Sequence, residues 1–117
     1  DDVLAAGEGI ETVLSLRQAL PFLPAIAALS AAHLAAVRLP ANCRRLYVLR
    51  DCDPAGEGAC RRLVDRAKAL GIEAVTLVPR LGDFNEDLRR IGARGLWEGI
   101  RTQLVADDAE RFMTRVA

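Results

Sequence analysis

The segment Leu46-Tyr47-Val48-Leu49-Arg50-Asp51-Cys52-Asp53-Pro54-Ala55-Gly56 constrains the fold of this 117-residue chain more than any other. A short apolar run, β-branched and aromatic in part, meets turn and helix-start signals, which predicts a buried strand in a sheet covered on both faces. Asp51 and Asp53 follow at its carboxyl end, the edge of an open α/β sheet where loops and helix N-termini converge and ligands bind. Pro54 suits the first position of a helix capped by Asp53, because the N–H it lacks would have no intrahelical partner there. The D-x-D spacing serves either as a cap beside a solvated turn residue or as a pair of hard oxygen donors whose repulsion a Mg²⁺ ion relieves. The pattern fits an EF-hand poorly, since Ala55 stands where a ligand is needed and Arg62 where the bidentate glutamate belongs.

The flanking sequence supplies the rest of an alternating pattern. Val3 to Ala6 reads as a short buried strand leading into Gly7-Glu8-Gly9. A helix is expected from Ile10 to about Leu20, with Ile10, Val13, Leu14 and Ala19 inward and Pro21 ending it. Ala25 to Leu29 is expected as a second strand, with Ser30 capping a short helix through His33 and Leu34, in preference to one continuous Ala-rich helix between Pro24 and Pro40. After Asp53 the stripe Ala59, Leu63, Val64, Ala67 and Leu70 predicts a long amphipathic helix that stops at Gly71. Ala74 to Val78 reads as another strand. Leu88, Ile91, Leu96, Ile100 and Leu104 then suggest helical cover interrupted near Gly92 and Gly95. Asp107 is expected to cap a last helix, over about 107–117, in which Phe112, Met113 and Val116 face inward. Strands alternating with helices predict an α/β domain with a mainly parallel sheet of about four strands and helices on both faces.

Composition narrows the class. At 51% apolar and 27% charged residues, the chain has the makeup of one globular domain, and no apolar run approaches the ~18–20 residues that span a bilayer. The chain opens within a few residues of its first strand, as expected of a domain cut from a longer protein. Sixteen basic residues balance sixteen acidic ones, so broad electrostatic capture of nucleic acid is not expected. Arg44, Arg45, Arg61, Arg62 and Arg66 read as solvated surface in preference to a local phosphate-binding patch. Cys43, Cys52 and Cys60 form no C-x-x-C pair and are expected as reduced thiols, consistent with a cytoplasmic protein. His33, the only histidine, has no partner set for zinc.

Three predicted strand ends carry acids: Glu8, then Asp51 with Asp53, then Asp83 with Asn85 and Glu86. In a parallel sheet these ends lie on one edge. Acids at helix N-termini are common because the helix dipole favours them, but an acid pair, a Gly-bracketed glutamate and an oxygen-rich loop on one edge repel one another unless a cation is shared. A haloacid-dehalogenase-type phosphatase fits less well: Ala55 replaces the Thr or Val expected two residues after the second Asp, and Lys68 lies within a helix.

The ordered set Glu8-Gly9, Asp51-Cys52-Asp53 and Asp83-Phe84-Asn85-Glu86 resembles the Toprim domain of bacterial primases, type IA and II topoisomerases, OLD-family nucleases and RecR proteins. Glu8-Gly9-Ile10-Glu11-Thr12 and Gly82-Asp83-Phe84-Asn85-Glu86 are most similar to the Toprim domains of plasmid, phage and mobile-element primases. The resemblance covers about residues 3–105. It implies a compact Rossmann-like fold, residues 1–117 forming a single domain excised from a primase or primase-helicase, and Mg²⁺ or Mn²⁺ at the acidic edge. It also implies that Glu8 is the catalytic acid or base, and that the metal set is Glu8, Asp51, Asp53, Asp83, Asn85 and Glu86. Asn85 departs from the family pattern, standing where many bacterial primases carry an aspartate; its carbonyl oxygen remains a neutral donor. The implied activity is nucleotidyl transfer for RNA primer synthesis in DNA replication. Template DNA and nucleoside triphosphates would be its partners, with zinc-finger, basic or helicase domains nearby and no membrane. The alternatives are phosphodiester cleavage by a Toprim nuclease or topoisomerase, and a noncatalytic interaction domain.

Overall fold

The computed structural model describes residues 2–51 and 54–113. The elements run β1 (Val3–Gly7), α1 (Ile10–Ala19), β2 (Ala25–Ala27), α2 (Ala31–Ala35), β3 (Arg45–Leu49), α3 (Pro54–Ala69), β4 (Glu73–Leu77), α4 (Phe84–Arg101) and α5 (Ala106–Phe112). Four strands form one parallel sheet in the order β2-β1-β3-β4, as the alternating pattern predicts. Ala5 pairs with Tyr47 and Tyr47 with Val75, so the two most buried strands lie in the middle.

Alternation along those strands splits the core into two layers. Val3, Ala5, Tyr47, Leu49 and Leu77 point to one face and pack with Val13 and Leu16 of α1, Phe84, Leu96 and Ile100 of α4, and Phe112 of α5. Leu4, Ala6, Leu46 and Val48 point to the other, against Leu34 of α2 and Ala59, Leu63 and Ala67 of α3. Every residue of β1 and β3 is buried, which explains why both read as continuous apolar runs. Each fully buried leucine in these layers contributes about 1.5–3 kcal/mol relative to exposure.

Several local expectations need correcting. Ile10 and Leu14 are 53% and 56% exposed, whereas Thr12, Val13, Ser15, Leu16 and Ala19 form the buried face of α1. Packing against β1 and α4 rotates that helix so that small and polar residues take inward positions. Leu70 is exposed at the end of α3, beyond the strands that would cover it. Ser30 does cap α2, its Oγ accepting from the His33 N–H at 3.0 Å. Gly71, at φ +78, ends α3. Gly92 alone departs from helical geometry within α4, at φ 76 and ψ 173, while Gly95 stays helical. Asp107 does not cap α5: Val105 occupies that position without a side-chain bond, and Asp108 is the buried acid. Phe112 is buried and Met113 packs against the core; Val116 lies outside the described residues.

Arg45 is the largest departure. As the first residue of β3 it shares a face with Tyr47 and Leu49, so alternation carries it inward, where Nη1 donates to Asp108 Oδ2 at 2.8 Å and Nε to Glu73 Oε1 at 3.2 Å. Among the described residues no helix is long and apolar enough to cross a membrane. Cys43 and Cys60 are free, buried thiols.

Candidate metal centre at the carboxyl edge

The parallel register brings the carboxyl ends of β1, β3 and β4 to one edge, with Glu8 one residue beyond β1 and Asp51 two beyond β3. Asp83 stands at the N-cap of α4, after the loop from β4. The three predicted motifs therefore share an edge. Asp53, one of the predicted ligands and the predicted cap of α3, lies outside the described residues.

Glu8 is presented by a tightly packed turn. A Cβ on Gly7 would meet Leu49 Cδ1 at 3.0 Å and Val13 Cγ2 at 3.2 Å, so any side chain there would have to push Leu49 and Val13 aside by a few tenths of an ångström. The Glu8 carbonyl accepts the Leu29 N–H at 2.6 Å, and the Gly7 carbonyl accepts the Ala28 N–H at 2.8 Å. Leu29 is held at φ 76 and 66% exposed, a left-handed conformation that costs a branched side chain energy and is retained where surrounding contacts impose it. Backbone hydrogen bonds from the segment after β2 thus hold the turn that presents Glu8, a half-buried residue.

Asp51 is half-buried and bonded across the edge: Thr12 Oγ1 of α1 donates to its Oδ1 at 3.3 Å. In the third motif Asp83 behaves as a helix cap, Oδ1 accepting the Glu86 N–H at 2.7 Å. Asn85 Nδ2 donates to Glu11 Oε2 at 3.4 Å. Glu86 turns along α4 toward Arg90 at 3.4 Å and Arg89 at 3.8 Å. Asp87, which the sequence offers only as the last acid of the third cluster, is 2% exposed and accepts the backbone N–H groups of Arg80 and Leu81, each at 2.8 Å. Its carboxylate folds the β4–α4 loop back on the helix, and the signal for it was a second acid in the first turn of α4.

The acid motifs of this edge offer, among the described residues, carboxylates and an amide carbonyl, donors that fit a hard divalent cation. Among the described residues, no group of three or more His, Cys, Asp or Glu side chains is drawn close enough to hold an ion. The described part of the edge contributes Asp51, Glu8 and Asp83 from three separate loops. On the α3 side, a cavity lined by Arg50, Glu57, Cys60, Arg61, Val64 and Thr76 opens beside it, with Arg50 Nη2 paired to Glu57 Oε1 at 2.5 Å.

Comparison with known proteins agrees with this architecture. A crystal structure of the Aquifex aeolicus primase, comprising its zinc-binding and RNA polymerase domains, superposes with a TM-score of 0.57 at 19% identity. The match covers 88% of this chain and 26% of that one, so the chain spans about a quarter of the primase structure's length. No curated protein sequence matches. The family model of the Toprim domain matches residues 3–94. That span takes in β1, the D-x-D motif that follows β3 in sequence and the acidic start of α4, and the chain belongs to the Toprim domain family.

Proposed function

We propose that this chain is the metal-dependent catalytic domain of a cytoplasmic, primase-like nucleotidyltransferase that joins ribonucleotides into primers on a DNA template. What supports the reading is the position of Glu8, Asp51 and Asp83 beyond the carboxyl ends of three strands of one parallel sheet in a chain of the Toprim family. Asp51 and Asp53 would hold Mg²⁺ or Mn²⁺, with Asp83, Asn85 and Glu86 completing the oxygen set. Such an ion supplies charge neutralisation at phosphoryl oxygens and lowers the pKa of an attacking hydroxyl. Glu8, on its pinned turn, would take or return the proton of that hydroxyl. Zero net charge and 4% aromatic residues leave little for sequence-independent affinity or base stacking. Template DNA and nucleoside triphosphates would therefore be held together with adjoining basic, zinc-binding or helicase domains.

Mn²⁺ titration of the wild-type chain and of Asp51→Asn/Asp53→Asn tests the site: binding is expected in the first and loss in the second, and equal binding would remove the assignment. A noncatalytic reading draws on the engagement of Asp83 as a cap and of Glu86 with Arg89 and Arg90. It predicts no metal binding by either protein. In the full-length protein, Glu8→Gln should cut primer synthesis and leave the melting temperature nearly unchanged.

A further inference from the structure

The geometry points to Thr12 as a positioning residue for Asp51, a role that rests on the metal-site reading above. Thr12 lies in the first turn of α1 and is 6% exposed, although its side chain is polar. A buried hydroxyl is costly unless it is hydrogen-bonded. The Thr12 hydroxyl meets that cost 39 residues away in sequence, donating to Asp51 Oδ1 at 3.3 Å.

The bond does more than satisfy the threonine. A hydroxyl held on Oδ1 restricts rotation of the carboxylate about its terminal bond, and so sets the plane in which the aspartate offers its lone pairs to a cation. The support is itself stiff. Thr12 is β-branched with few rotamers in a helix, and the buried face of α1 on which it sits is packed through Val13 and Leu16 into the core. The preceding residue extends the same bridge: Glu11 Oε2 accepts from Asn85 Nδ2 at 3.4 Å. One helical turn thus contacts both the second and the third acidic motifs. Thr12 touches neither substrate nor ion in this assignment; it acts through Asp51. Hydrogen-bond partners of ligating groups typically alter metal affinity 10–100-fold when removed, and a half-buried carboxylate belongs at the lower end of that range.

The experiment compares wild type, Thr12→Val and Thr12→Ser by Mn²⁺ titration followed by electron paramagnetic resonance, with melting temperature measured on the same samples. Thr12→Val keeps the shape and removes the hydroxyl; it should bind Mn²⁺ roughly tenfold more weakly. Thr12→Ser keeps the donor and should stay within about twofold of wild type. Should Thr12→Val not fold, Thr12→Ala compared with Thr12→Ser carries the same contrast. Wild-type affinity in the hydroxyl-free variant, or an equal loss in Thr12→Ser, overturns the positioning role and leaves the metal site standing. Absence of Mn²⁺ binding by the wild-type chain overturns the site and this role with it.

Discussion

The Tyr47 hydroxyl in the middle of β3 donates to Asp108 Oδ2 of α5 at 2.5 Å, and Arg45 Nη1 donates to the same oxygen at 2.8 Å. Tyr47 is fully buried and Asp108 is 1% exposed. The Val105 N–H, at the cap of α5, completes the set by donating to the Tyr47 oxygen at 3.1 Å. The terminal helix is therefore attached through a buried charge pair as well as through Phe112. A buried ion pair of this kind adds little net stability over an apolar alternative, but breaking one side of it is expensive.

Asp108→Ala should accordingly destabilise the chain by about 3 kcal/mol, the lower end for a broken buried pair, because it leaves the Arg45 guanidinium with only the exposed Glu73 as a partner. Tyr47→Phe removes one donor from Asp108 and one acceptor from Val105, and should cost about 1–3 kcal/mol. Urea denaturation followed by the emission of Trp97, the only tryptophan, measures both. An Asp108→Ala midpoint at the wild-type value would mean that the pair is not buried as described.

Burial, followed by the bond to Asp108, raises the Tyr47 pKa well above the ordinary tyrosine value of 10.0. The folded state thus favours the protonated phenol. This contribution to stability is fully present below pH 10 and is lost as pH rises through the raised folded value. Because Tyr47 is the only tyrosine, ultraviolet titration of phenolate reports on it alone. No phenolate should form near pH 10 until the chain unfolds, and then it should appear together with loss of the fold.

At the acid end, the hydrogen bond from Arg44 leads the effects that hold Asp2 down at about 2, with Arg111 adding to it. The folded value lies below the ordinary 3.8, so this pairing stabilises above about pH 3.8 and is lost as pH falls through 2. Asp2→Asn should have the lower melting temperature at pH 6, and the two curves should converge towards pH 2. A constant offset down to pH 2 would assign the effect to something other than the charge.

Leu29 holds a left-handed backbone with its side chain in solvent. Glycine relieves a steric cost of roughly 1–2 kcal/mol there and adds back about 0.5–1 in chain entropy. Leu29→Gly should therefore raise stability by roughly 0.5 kcal/mol, read as a small increase in melting temperature. A decrease would show that the exposed leucine makes contacts worth more than the strain.

The sequence by itself determined the parallel α/β class, the four strands and the edge on which the acids gather. Buried strands must be apolar on both faces, and glycine, proline and Asp/Ser caps mark where such runs end. The acid motifs were legible for the same reason: each interrupts a hydrophobic pattern at its carboxyl end. Only the tertiary structure decided which way α1 faces, since its exposed Ile10 and Leu14 are as apolar as its buried Val13 and Leu16, and rotation about the helix axis is set by what β1 and α4 leave room for. Thr12, Asp87 and Asp108 were illegible as structural acids and donors because their partners lie on other elements or in backbone N–H groups. Arg45 looked like surface for the same reason: its burial depends on Asp108, 63 residues later, and a lone charge in sequence carries no sign of the opposite charge that folding will bring to it.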